Sequence, residues 1–165
     1  MKQTHFMYGG LTAFAYIIVS VVLYLVGLAF EPWTILVVYG IFLTGIILNA
    51  VAFSKMNDHY VSFGNVFSSG FKATAIIALV LLAWYFVSLW LFPEMREEGM
   101  EIARQRMEET NLSEEQIEAN LKITNSTAVG VAGVIFGTMF VGAIFSLIGA
   151  AIAKKKGERP PNMTI

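Results

Sequence analysis

Glutamates dominate the one long hydrophilic stretch of this chain, and carboxylates are the side chains best suited to hold a cation. Residues 93–127 contain nine of the twelve acids and only four bases. Calcium loops place acids at alternating positions around a glycine, and neither Glu97-Glu98-Gly99 nor the Glu114-Glu115 pair has that spacing. We therefore predict no metal site. The glutamates that form a candidate partner surface are Glu97, Glu98, Glu101, Glu108, Glu109, Glu114, Glu115 and Glu118. The favoured alternative is a solvated cap that these acids keep out of the membrane.

The residue types that most often perform catalysis are scarce. The chain has no cysteine and only two histidines, His5 and His59, in different segments. Neither has a second ligand at H-x-x-x-H spacing, and a catalytic histidine needs an orienting partner. The sequence thus predicts no catalytic residue, no cofactor and no enzyme. Were the protein an enzyme, tyrosines and glutamates at the outer membrane interface would be the only candidates.

Four long apolar runs determine where the polar residues of the chain lie. Hydrophobic residues make up 56% of the chain and charged residues 14%, where soluble domains have about 25% charged residues. A span of hydrocarbon needs about 20 apolar residues. We predict an all-α integral membrane four-helix bundle in one domain, with spans at residues 8–30, 34–53, 73–92 and 128–153. Phe63, Phe67 and Phe71, spaced by four, suggest a helical piece lying at the interface before the third span.

The hydrophilic stretch, residues 93–127, is predicted to be an extracytoplasmic helical hairpin between the third and fourth spans. Ser113-Glu114-Glu115-Gln116 has capping-box spacing and starts its second helix. Four spans place seven of the eleven bases, including Lys154, Lys155 and Lys156, on one side. The positive-inside rule makes that side cytoplasmic. We therefore predict a bacterial inner-membrane protein with cytoplasmic termini, a basic tail at residues 154–165 and a periplasmic hairpin.

Inside the spans, polar and small residues are the candidates for function. The runs contain no ionisable acid or base, which argues against a proton path. Asn49 is the most costly polar residue in lipid, and a hydrogen bond to a neighbouring helix is favoured over a substrate contact. Small residues at i, i+4 spacing predict close helix packing, with the fourth span as the central helix. These helix-packing residues are Gly133, Gly137, Thr138, Gly142, Ser146 and Ala150. Their partner is either another span of this chain, which is favoured, or a second copy.

Three stretches together resemble a known family. They are residues 62–72 (SFGNVFSSGFK), residues 112–118 (LSEEQIE) and residues 146–152 (SLIGAAI). In their order, the chain resembles a family of short four-span membrane proteins of the Bacteroidota known as domain of unknown function 4199. The resemblance covers nearly the whole chain and implies a bacterial inner-membrane setting. It implies no activity, so it assigns no functional residue.

Two hypotheses for function follow. The leading one is a non-enzymatic accessory or scaffold protein that contacts another membrane protein or a second copy of itself. The alternative is a small transporter or flippase-like carrier of a lipid-linked or hydrophobic substrate, with aromatic residues lining a groove. That alternative requires a cavity between the spans. Membrane lipids are expected partners in both cases, and nucleic acid in neither.

Overall fold

The computed structural model describes residues 2–110 and 112–156, and these residues form six α-helices and no strand. In chain order the helices are α1 (His5–Leu25), α2 (Thr34–Met56), α3 (Phe63–Leu91), α4 (Pro93–Glu109), α5 (Glu114–Thr124) and α6 (Thr127–Ile152). The predicted all-α class is confirmed for this part of the chain. The predicted tail lies outside the described residues from residue 157 onward.

Helices α1, α2, α3 and α6 are each long and apolar enough to cross a membrane. They contain 21, 23, 29 and 26 residues, and at most 28% of the apolar stretch of any of them is buried inside the protein. Exposed apolar surface of this extent is rare on soluble proteins. The length and composition of the four helices therefore indicate a membrane protein.

The four long helices pack around a central pair, α2 and α3. Helix α3 contacts α1, α2 and α6, whereas α6 packs chiefly against α2 and α3. The central helix is thus α3 rather than the predicted α6, because α1 and α6 flank the central pair. We call the end near Thr4, Met56, Phe63 and Ile152 the basal end, and the opposite end, next to α4 and α5, the distal end. The corresponding halves of the four helices are the basal and distal halves.

Helix α1 is shorter at its distal end than the predicted span. It ends at Leu25, since Gly27 adopts a left-handed conformation with φ of 74°. The Leu28 amide N–H donates back to the Leu23 carbonyl at 2.8 Å, which closes the helix as in other glycine-terminated helices. Residues 26–30, predicted to continue the first span, therefore lie outside α1.

Helix α3 begins ten residues before the predicted third span. The Ser62 side chain caps it by accepting a hydrogen bond from the Asn65 amide N–H at 3.2 Å. Phe63, Phe67 and Phe71, predicted to belong to a separate interfacial piece, lie instead in the first turns of this continuous helix. Contacts with distant parts of the chain explain why the helix starts this early, because Val66 and Ser69 in these turns are buried against the rest of the protein.

The hydrophilic stretch forms α4 and α5. Phe92 leaves helical geometry with φ of −134°, and Pro93 occupies the first position of α4, where its missing N–H costs nothing. At the start of α5, the Ser113 and Gln116 side chains each bond the other's backbone amide, so the predicted capping box is confirmed. Arg104 of α4 pairs with Glu114 of α5 at 3.0 Å.

Candidate functional site

Asn49 lies at the centre of a buried polar network in the basal half. Its side chain is fully buried; Oδ1 accepts a hydrogen bond from the Thr4 hydroxyl at 2.7 Å, and Nδ2 donates to the Ser69 hydroxyl at 3.2 Å. The network therefore joins the start of α1, the middle of α2 and the start of α3. An amide bonded in this way has its polar atoms satisfied and stabilises one arrangement of the helices.

A second polar cluster closes the basal end. The Ser54 hydroxyl donates to the Lys154 carbonyl, so its oxygen is the acceptor for Nδ1–H of His59 at 2.9 Å. The Lys156 amide donates to the His59 carbonyl at 2.7 Å. His59 itself has φ of 66°, which shapes the turn between α2 and α3 around the segment that follows α6. These bonds hold the basic residues after α6 against the end of the protein.

Glycines and hydroxyl side chains fit closely together in the basal half. A Cβ atom added to Gly142 would overlap the Thr74 side chain, and one added to Gly70 would lie 2.9 Å from the Ser146 hydroxyl. Ala150 is fully buried in a cluster with Ala50. Gly142, Ser146 and Ala150 from the predicted small-residue stripe therefore contact other helices of the same chain.

Gly133 and Gly137, from the same predicted stripe, face open space instead. A Cβ atom added to either would meet no atom within 4 Å. Both line a cavity of about 330 Å³ in the distal half, to which all four long helices contribute. The lining residues are Tyr16, Tyr39, Phe42, Leu81, Trp84, Tyr85, Ser88, Gly133, Val134, Gly137, Thr138 and Val141. We call it the distal cavity.

The walls of the distal cavity are mostly aromatic and apolar, with a few polar groups. Tyr39 packs edge-on against Phe145 with ring centroids 6.4 Å apart. Within residues 2–110 and 112–156, the hydroxyl groups of Tyr16, Tyr39 and Tyr85 make no hydrogen bond to the protein. Such hydroxyls are available to an acceptor on a bound molecule, and a phenol ring provides apolar contact beside them. The arrangement suits an apolar molecule with one or a few polar atoms.

The glutamates of the predicted partner surface all lie exposed on α4 and α5. Glu97, Glu98 and Glu101 border an open depression with Phe30 and Glu31, and Glu114 is paired with Arg104. In the described part of the chain, no group of three or more His, Cys, Asp or Glu side chains is arranged to hold a metal ion. The glutamates of this surface are therefore accessible to solvent, and their role stays a prediction.

Sequence reasoning did not find the distal cavity as a site. The carrier alternative expects aromatic residues around a groove, but Tyr16, Tyr39 and Tyr85 lie on three different helices and no spacing along the chain joins them. The signal that existed was Gly133 and Gly137, which we interpreted as close packing. Spacing alone does not separate a glycine that receives a side chain from one that leaves a void.

The fold and these sites together define an all-helical protein with four membrane-capable helices, a tightly bonded basal half and a cavity in the distal half. Residues 7–155 match the model of a protein family of unknown function, DUF4199, and the chain belongs to that family. The expected family membership is thus confirmed. Among curated proteins and among solved structures, none matches the chain.

Proposed function

We propose that this protein binds a hydrophobic or lipid-linked molecule in the distal cavity and acts as a small carrier of that molecule in the bacterial cytoplasmic membrane. The observation that supports the proposal is the distal cavity itself, about 330 Å³ between four membrane-capable helices. Ligand pockets in proteins measure about 300–1,000 Å³ and are lined mainly by apolar and aromatic side chains with a few polar groups. The carrier hypothesis required such a space, whereas the scaffold hypothesis does not.

The lining of the cavity narrows the class of ligand. Trp84, Tyr85 and Phe42 offer apolar surface, and the tyrosine hydroxyls offer hydrogen-bond donors. No acid or base lines the cavity. A neutral chain with an ester, ether or alcohol oxygen therefore fits better than a charged metabolite, since an unpaired charge is costly at membrane depth. We propose binding without chemistry, because neither histidine of the described chain lies at this cavity.

Photolabelling tests the site. The full-length protein in lipid nanodiscs is irradiated with a diazirine-bearing methyl palmitate, a neutral ester, and labelled peptides are mapped by mass spectrometry. We expect labelling of the α3 peptide that contains Trp84 and Tyr85, with competition by unlabelled methyl palmitate. Gly137→Leu places a side chain in the open space of the cavity and should reduce this labelling to background.

Gly40→Leu is the matched control. Gly40 is an exposed helical glycine with no atom within 4 Å of an added Cβ, and it does not line the cavity. Labelling of the Trp84 peptide should persist in this variant. Equal labelling in Gly137→Leu and in the unmodified protein would contradict binding in the distal cavity.

The carrier step needs its own measurement. In vesicles, the rate at which a fluorescent phospholipid analogue crosses the bilayer is followed by dithionite quenching. We expect the unmodified protein and Gly40→Leu to accelerate this rate, and Gly137→Leu to give the rate of empty vesicles. Binding without acceleration would contradict a carrier and leave a lipid-binding protein.

A second candidate function is the accessory or scaffold role that the sequence favoured. It is supported by the exposed glutamates on α4 and α5, of which Glu114 alone is in a salt bridge among the described residues. We propose that α4 and α5 form the periplasmic hairpin and present these acids to a basic membrane partner or a second copy. Co-purification in mild detergent tests this role, and a strict monomer with no bound protein would contradict it.

A further inference from the structure

A second cavity, of about 360 Å³, opens at the basal end and differs in chemistry from the distal cavity. It is lined by Gln3, His5, Phe53, Ser62, Gly64, Asn65, Ser68, Ser69 and Lys72. Its walls come from the segment before α1, the start of α1 and the first turns of α3. Polar atoms thus converge where the helices leave the apolar region.

The start of α3 supplies backbone donors to this cavity. The first amide N–H groups of a helix have no intrahelical acceptor and lie at the positive end of the helix dipole. The Ser62 hydroxyl accepts from the Asn65 amide, so the donors left for a ligand are those of Phe63 and Gly64. Gly64, the second residue of α3, lines the cavity, and an added Cβ there would meet only the Ser62 hydroxyl, at 3.9 Å. An anion can therefore approach this backbone closely.

His5 is an independent indication of a ligand. Its side chain lines the cavity and is only 7% exposed, yet its ring nitrogens make no hydrogen bond to any described residue. No buried side-chain nitrogen or oxygen of the described residues lacks a partner, so the ring nitrogens of His5 are open to the cavity rather than sealed inside the protein. An imidazole N–H at this place offers a hydrogen bond to a molecule that occupies the cavity.

Lys72 completes a positive environment. Ser68 and Lys72 lie one turn apart on α3 with Gly64, so the three residues form one polar stripe that faces the cavity. Lys72 has no acidic partner within the described residues. The charged residues described at the basal end are six lysines and one aspartate, Asp58, which does not line the cavity.

From these observations we infer that the basal cavity is a binding site for a phosphate group, held by the α3 N-terminus, His5 and Lys72. The group belongs either to the headgroup of an anionic phospholipid or to a free phosphate, and both present the same oxygens to these donors. The site is separate from the distal cavity and does not depend on the carrier function.

The test uses the full-length protein in detergent micelles. Its thermal unfolding midpoint and its bound lipid, measured by native mass spectrometry, are followed with inorganic phosphate and with short-chain phosphatidylglycerol. We expect a rise in the midpoint with at least one of the two, since a ligand that binds only the folded state stabilises it. A rise with phosphatidylglycerol alone identifies a headgroup site, and a rise with phosphate as well identifies a site for the free anion.

Lys72→Gln should weaken the binding about tenfold, because it removes a charge-assisted hydrogen bond. Lys55→Gln is the matched control: Lys55 is an exposed lysine at the basal end that does not line the cavity, and its removal should leave the affinity unchanged. Both lysines are exposed, so both variants should fold. The inference is overturned if neither probe binds, or if the two variants weaken binding equally, which would indicate attraction to the net charge alone.

Discussion

Two packed glycines of the basal half and the two glycines of the distal cavity have opposite surroundings, although Gly130, nearer the distal end of α6, also receives a side chain, that of Tyr85. In the basal half, Gly142 and Gly70 each receive a hydroxyl side chain from a neighbouring helix, Thr74 and Ser146 respectively. In the distal half, Gly133 and Gly137 of the same helix α6 leave open space. Close approach of helices gives van der Waals contact where no hydrophobic force drives association. The comparison indicates close packing around Gly70 and Gly142 and open space beside Gly133 and Gly137.

The tyrosine hydroxyls of the distal cavity also differ from the basal hydroxyls, although Ser88 of the same cavity donates to the Tyr85 carbonyl at 2.8 Å. Thr4, Ser54 and Ser69 make hydrogen bonds in the basal half. The described structure gives no such bond to the tyrosine hydroxyls that line the distal cavity. A polar group fixed by protein partners specifies a fold, whereas one without a protein partner is available for recognition.

The largest expected effect comes from filling a basal glycine. Gly142→Leu forces a side chain into the position of Thr74 and should lower the free energy of unfolding by about 3 kcal/mol, as overpacking of a tight core does. Gly133→Leu, on the same helix, fills empty space and should change that free energy by no more than about 0.5 kcal/mol. Denaturant titration in detergent measures both, and equal losses would contradict the contrast between the halves.

Much of the fold could be predicted from the sequence, because its elements are set by local rules. Uncharged runs of 20 or more residues must be helical in hydrocarbon, where backbone groups have no water to bond. The start of α5 was also predictable, since Ser113 and Gln116 are three residues apart and act within one turn. Each of these features depends on residues close together in the chain.

The features that were not predicted depend on contacts between distant residues. Phe63, Phe67 and Phe71 are predicted to lie in an interfacial piece before the third span, yet Ser69 is buried beside Asn49 and α3 continues through all of these residues. Gly137 and Gly142 are both small residues of α6, and their opposite surroundings follow from what α3 places opposite each. The Thr74 side chain fills the space beside Gly142. No side chain fills the space beside Gly137, which opens onto the distal cavity. Spacing along one helix contains no information about the side chain that faces it.

A smaller effect should follow from removing the central amide of the basal half. Asn49→Ala leaves the Thr4 and Ser69 hydroxyls without this partner and should cost about 1–2 kcal/mol of unfolding free energy, since buried polar groups left unpaired cost about 1–3 kcal/mol. Asn120→Ala, at an exposed position of α5, is the control and should be neutral. A neutral Asn49→Ala would show that the basal network contributes little to stability.

The smallest expected effect on stability belongs to the distal hydroxyls. Tyr16→Phe and Tyr39→Phe each remove an oxygen that no described residue bonds, so the free energy of unfolding should change by less than about 0.5 kcal/mol. The same variants should weaken photolabelling of the Trp84 peptide by the diazirine-bearing methyl palmitate, because the lost donor serves the bound molecule and not the fold. Thermal unfolding and labelling on the same preparations separate the two roles. A loss of stability as large as that of Asn49→Ala would mean that the distal hydroxyls hold the helices together. That result would contradict the proposed contrast between the basal half and the distal cavity.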